Sequence, residues 1–281
     1  MERMIGMRLD PRLFQILFLG CFLTIGVMLR DFSVQAAQIA LTFATVLATQ
    51  AFWLHRLDIK QAGFLSALVS CFGLSILIRA DNLWAHPLIA FCAISSKFVL
   101  RIDSRHVFNP ANLGAIMAAF VIPGAWVSPG QWGQNIALAA WFIALGTIVT
   151  QRSRRIDIGW CFLGFYLGLL SLRVVMLGQN PMVILHQLES GALLLFAFFM
   201  ISDPMTTPVN TRARIGYAFL VALCALIWQF VFFKPNGLIV SLFVLSPLVV
   251  WLNRLIPGKA YEWKASTINK SQPSGNAISH A

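Results

Sequence analysis

The chain has 281 residues, 58% of them hydrophobic and only 11% charged, with a mean hydropathy of +0.77. Ordinary soluble domains are about 45–50% apolar and about 25% charged, so these values exclude a water-soluble enzyme and favour one polytopic membrane domain. Twenty-one Lys and Arg against ten Asp and Glu give a formal charge of +11. The basic residues cluster in short loops between apolar runs, so the excess reads as membrane orientation rather than nucleic-acid binding.

A membrane-crossing helix needs about 20 mostly apolar residues, and ten stretches qualify. A cytoplasmic segment, residues 1–12, precedes the first, 13–29. That run follows three arginines, as a signal peptide would, but lacks a small-residue cleavage site and is expected to be retained. The next four are 33–54, 63–79, 85–100 and 111–127. The fourth and fifth are short and carry polar residues, which makes them candidates for broken or re-entrant helices. The remaining five are 133–150, 156–178, 181–202, 213–233 and 237–253. Residues 255–281 form a cytoplasmic, mostly disordered tail, polar and containing Pro, Gly and Ser. The expected fold is therefore all-α, a membrane domain of ten transmembrane helices over 13–254, because lipid offers no partner for unpaired backbone groups.

Orientation follows from the distribution of Lys and Arg. With both termini in the cytoplasm, seventeen basic residues fall inside and four, Arg30, Arg79, Arg173 and Lys234, fall outside. Tryptophans 53, 84, 126, 132, 160 and 251 lie near span ends, where an aromatic belt belongs. Five cysteines sit inside apolar runs with no metal-ligand spacing and read as small buried hydrophobes.

Ionisable groups within a span are costly, and so are functional candidates. Glu189 is the clearest, eight residues into the eighth span and roughly 12 Å deep at 1.5 Å per residue. His186 lies one turn earlier on the same face. Together they are candidates for ion coupling, against the plainer reading of a protonated Glu bonded to a neighbouring helix. Lys97, Arg101 and Arg105 recur every four residues at the inner end of the fourth span. Positive-inside anchoring explains that stripe better than a specific anion or headgroup site.

Two loop motifs carry more. His106-Val107-Phe108-Asn109-Pro110-Ala111-Asn112-Leu113-Gly114 enters the fifth span from the inside, with two amides flanking a proline. Ser202-Asp203-Pro204-Met205-Thr206-Thr207-Pro208 leaves the eighth on the same side, a rigid turn dense in acceptors. Each is compatible with a simple helix-ending turn. If the two meet, Asn109, Asn112, Asp203, Thr206 and Thr207 would form one polar site.

At these motifs the sequence resembles the homologous membrane subunits B of the sodium-pumping NADH:quinone reductase and D of the Rnf electron-transport complex. The similarity is strongest over Lys97–Ala118, Gly130–Ala139 and His186–Thr211, and extends over about residues 10–255. The resemblance implies ten spans and a flavin-bearing subunit of a multi-subunit redox complex, coupled to Na⁺ or H⁺ movement. It also implies a cofactor role for Asn109, Pro110, Asn112, Asp203, Thr206 and Thr207. Relatives attach one FMN by a phosphoester to a threonine in a Gly-x-x-Gly-Glu-Thr-Ser-like segment. Here that segment reads Gly130-Gln131-Trp132-Gly133-Gln134-Asn135-Ile136, with Asn135 in the threonine's place. An amide cannot form the ester, so the expectation is a non-covalent flavin (FMN or riboflavin), or a subunit that relays electrons to partner-bound cofactors. Glu189 also stands where relatives tend to have a small or neutral residue. The expected function is thus flavin-linked electron transfer in the inner membrane of a bacterial-type cell. The alternatives are a non-redox transporter or channel on the same scaffold and, more weakly, an assembly partner for a redox enzyme.

Overall fold

The computed structural model describes residues 10–29, 34–59, 63–128 and 136–258. Helices α1 (Pro11–Leu29) and α2 (Ala36–Arg56) are followed by a shorter α3 (Leu65–Leu77), which runs into an extended segment, β1 (Ile78–Ala80). Then come α4 (Ala85–Val99), the hairpin β2 (Arg101–Ile102) and β3 (Arg105–His106), α5 (Pro110–Phe120) and β4 (Ala125–Val127). The second half holds α6 (Ile136–Arg152), α7 (Ile156–Met176), α8 (Met182–Leu188) and α9 (Gly191–Leu195), the last continued by a π-helical turn, Phe196–Met200. The described chain closes with α10 (Thr211–Phe230), α11 (Gly237–Leu245) and α12 (Leu248–Leu255).

The chain is a polytopic α-helical membrane protein. Among the described residues, α1, α2, α7 and α10 are each long and apolar enough to cross a membrane. Two bent pairs, α8 with α9 and its π turn (52°) and α11 with α12 (49°), bring the number to six if each is one span. The expectation of unbroken helices over 181–202 and 237–253 is corrected here. The first breaks at Glu189–Ser190, before a Ser190–Gly191 pair, and the second at Pro247, which has no N–H to continue a helix.

Helices α3, α4 and α5, with 13, 15 and 11 residues, are too short to cross alone. At 1.5 Å per residue α5 reaches about 16 Å, roughly half of a 30 Å hydrocarbon core. The predicted fifth span, 111–127, therefore ends early: α5 stops at Phe120, ahead of Pro123, and the remainder becomes β4. β4 pairs antiparallel with β1, placing Ile78 opposite Val127 and Ala80 opposite Ala125. All three β1 residues are buried. Their backbone groups are met by β4, and the Gln38 amide donates to the Ala80 carbonyl at 2.8 Å, as buried non-helical backbone requires.

Close packing fixes the π turn. A Cβ on Gly146 of α6 would lie 2.5 Å from the Phe198 ring, and one on Gly159 of α7 would lie 2.8 Å from the Ala197 carbonyl. Small residues at these two points let α6 and α7 close on the π turn, as is usual between membrane helices. Helices α7 and α10 pack in parallel. Near their N-terminal ends the Arg214 guanidinium reaches the Asp157 carboxylate at 2.6 Å. Arg214 also donates to the Val209 carbonyl at 2.7 Å, holding the chain that enters α10.

Candidate functional site

The two loop motifs meet. Asn109 is the N-cap of α5: its Oδ1 accepts from the backbone N–H groups of Ala111 at 3.0 Å and Asn112 at 3.2 Å. Pro110 occupies the first helical position, where its missing N–H costs nothing. The other end of the same amide, Nδ2, donates to Asp203 Oδ2 at 3.2 Å. His106 Nε2 lies 3.6 Å from the same oxygen. Asp203 Oδ1 accepts from the Met205 N–H at 3.0 Å, and Thr207 Oγ1 donates to the Asp203 carbonyl at 2.9 Å, so the loop closes on itself.

Arg105 completes the joint. Its Nε donates to the Met205 carbonyl at 3.0 Å, and Nη2 donates to the carbonyls of Pro204 at 2.5 Å and Thr207 at 2.8 Å. One guanidinium thus gathers three carbonyls of a loop about a hundred residues away. Burial alone would push the Asp203 carboxyl up. The His106 imidazole beside it, the Met205 N–H and the charge of Arg105 outweigh it and hold Asp203 below the usual carboxylate range.

Sequence reasoning selected both motifs but missed what Arg105 does. The basic stripe does not act as one unit. Lys97 Nζ donates to Ser66 Oγ at 2.7 Å, Arg101 Nη2 to the Ser104 carbonyl at 2.7 Å, and Arg105 to the distant loop. Nothing local in the sequence marks that difference, since carbonyl partners belong to any residue type.

Within the joint, Asn109, Asp203 and Thr207 have their polar atoms spent on one another and on the backbone. Two members do not. Asn112 is fully buried, and neither its Oδ1 nor its Nδ2 has a hydrogen-bond partner among the described residues. Thr206 is 2% exposed and its Oγ1 has no such partner. Buried polar groups are nearly always paired, so these two, together with His106 Nε2, are the groups with chemistry left to offer.

Two cavities lie at separate places. One of about 210 Å³ adjoins the joint and is lined by Thr206, Arg105 and His106, with α12 as its far wall. The other, about 180 Å³, lies at the α8–α9 break, between Gln187 and Ser190 on one side and Gln229, Asn236 and Gly237 on the other. Tyr166 lines it and donates to Gln229 Oε1 at 3.1 Å. Asn112 lines neither cavity.

Glu189 sits in the break itself, as the C-cap of α8, half-buried and next to two lining residues of that second cavity. It is not part of a continuous mid-membrane helix as the sequence suggested. His186 lies on the exposed side of α8. Asn135 lies outside the described residues. Ser128, the last described residue before it, donates its N–H to the Leu77 carbonyl at 2.8 Å, and Leu77 lines the second cavity. No cluster of His, Cys, Asp and Glu among the described residues could hold a metal ion.

Apolar helices, two bent pairs among them, and a polar joint built from helix ends define a multi-pass membrane protein. Residues 115–262, more than half of the chain, match the family described as NQR2, RnfD, RnfE, and the chain belongs to it. No curated protein sequence matches it closely enough to serve as a relative.

Proposed function

We propose that the chain is a membrane subunit of an Nqr/Rnf-type electron-transport complex. In this reading it works with other redox subunits in a bacterial-type cytoplasmic membrane and passes electrons through a non-covalent flavin, coupled to Na⁺ or H⁺ movement. Family membership is the observation that carries the reading. A flavin, when bound, supplies one- and two-electron redox chemistry that no side chain here provides.

The residues present suit such a group in chemistry. The orphaned Asn112 amide offers a donor and an acceptor side by side, the complement of a flavin's imide edge, and Thr206 Oγ1 offers a hydroxyl. Asn109, Pro110, Asp203 and Thr207 would hold the backbone around them. Volume is the constraint. Cavities of about 210 and 180 Å³ fall below the roughly 300–1,000 Å³ of ordinary ligand sites. A flavin would therefore leave part of itself outside, or displace packing at the start of α5. The amide of Asn135, at the position of the relatives' threonine, has no hydroxyl to form a phosphoester, which supports the non-covalent reading.

The test is the absorbance spectrum of purified protein before and after denaturation, with in-gel fluorescence of the denatured chain. The expected result is flavin released on denaturation and no fluorescent band at the protein's mass, even when a flavin transferase is co-expressed. A fluorescent band would overturn the non-covalent reading, and absence of any flavin from protein purified with its partner subunits would overturn the redox role.

The broken helix at Glu189 favours a second reading, a non-redox transporter for a small solute or ion. Discontinuous helices with a carboxylate at the break and a cavity alongside are how transporter sites are built.

A further inference from the structure

The cavity between the β2–β3 hairpin and α12 has a lining of uneven charge. Arg105 and Arg254 contribute two guanidinium groups, and Asp103 contributes the one carboxylate. Asp103 is drawn to Arg254 at 3.3 Å, but both side chains are more than half exposed at the mouth, 61% and 58%. Such a pair is weak and easily exchanged.

Several donors in the lining remain unspent. Thr206 Oγ1 is buried without a partner. Arg105 uses Nε and Nη2 on loop carbonyls, which leaves Nη1. Asn253 accepts the Val209 N–H on Oδ1 at 2.8 Å, which leaves its NH₂ group. Ser246 contributes nothing further as a donor, because its hydroxyl is given to the Leu242 carbonyl. A net positive lining with unspent donors and an orphaned buried hydroxyl is complementary to an oxyanion. A volume of about 210 Å³ is several times the roughly 30 Å³ share of one water, so the space suits a tetrahedral group carrying a small organic body.

Helix α12 indicates the depth of this cavity. It turns 49° away from α11 and puts Val249, Val250 and Asn253 on the cavity. Trp251 and Leu255, 64% and 73% exposed, point elsewhere. An amphipathic helix with Trp and Leu outward belongs in the interfacial layer, where phosphate groups are concentrated.

We infer that the cavity between the β2–β3 hairpin and α12 is a binding site for a phosphoryl anion, supplied by an acidic phospholipid headgroup or by free phosphate. The site goes beyond the electron-transfer reading and does not require a flavin. Arg254 closes over the anion, exchanging Asp103 for it, while Thr206 and Asn253 donate from below.

The experiment uses the full chain purified in a neutral detergent. Native mass spectrometry compares phosphatidylglycerol with phosphatidylcholine at equal concentrations, and a second arm titrates inorganic phosphate while the thermal midpoint is read. A lipid source gives about a tenfold preference for phosphatidylglycerol. A soluble source gives a phosphate-dependent rise in midpoint with no lipid preference. Either response should fall about tenfold in Arg254→Gln and strengthen in Asp103→Asn, which removes the competing carboxylate. Both positions are exposed, so folding is checked simply by the ligand-free midpoint. No response to either probe in wild type, or an unchanged response in Arg254→Gln, overturns the site.

Discussion

Asn109 and Asp203 tie two distant parts of the chain through a single hydrogen bond, and each is also committed to its own backbone. Asn109→Ala removes an N-cap, worth about 1 kcal/mol, and leaves Asp203 Oδ2 short of a partner. The expected destabilisation is about 1–3 kcal/mol, read as a lower thermal midpoint in detergent. Asp203 gives the pH dependence. Because its folded value is held below the ordinary one, its contribution is fully present above about pH 4 and is lost as pH falls through the folded value. Wild type should therefore lose midpoint steeply only in acid, and Asp203→Asn should be less stable near neutrality with a flatter acid limb. An acid limb of equal slope in both would show that other carboxylates dominate.

Asn112 separates a ligand role from a packing role. A buried amide without partners is a burden in the empty protein, so Asn112→Leu should be neutral or mildly stabilising there. If the amide meets a flavin, the same variant should lose most bound flavin, measured as flavin per protein after denaturation. Unchanged flavin content would remove Asn112 from the site.

Among the elements, the broken pairs are the most informative. Hydropathy found the position of every long helix because each buries or exposes a continuous apolar face. It could not find the breaks at Ser190 and Pro247, since averaging over a window hides a two-residue interruption. It could not find β1 and β4 either, which exist only because Ile78–Ala80 and Ala125–Val127 pair across more than forty residues. The candidate site was legible as two motifs dense in Asn, Asp, Thr and Pro. Its fastening by Arg105 was not, because three carbonyls leave no trace in residue identity. Glu189 carries the prediction at this scale. If the α8–α9 break moves a cation or proton, Glu189→Gln should fold normally yet abolish coupled flux in reconstituted vesicles. Equal flux and redox activity from pH 6 to 8 would leave Glu189 a neutral packing group.

For the whole molecule the open quantity is topology. The seventeen-to-four division of basic residues predicts cytoplasmic termini, with Asn135 outside and Asp203 inside. Helices α7 and α10 run parallel, which sets their sense relative to each other but not which end faces the cytoplasm. Single cysteines at 135 and 203 on a cysteine-free background, labelled in spheroplasts by an impermeant maleimide, should react from outside and inside respectively. A Cys at 135 that labels only from the inside would invert or renumber the scheme.

Arg105 also bears on the order in which the chain can be made. Its three acceptors lie on residues 204, 205 and 207, about a hundred positions later in synthesis. Until that segment emerges, the first five helices carry a guanidinium and an Asn amide whose final partners do not yet exist. Contacts of such separation are slow to form and leave intermediates exposed. The N-terminal half must therefore wait in the bilayer as an unfinished assembly, held by its own helix contacts. Docking of Ser202–Pro208 supplies those partners, so a chain truncated before residue 203 should be a substrate for membrane proteolysis rather than a stable half-protein.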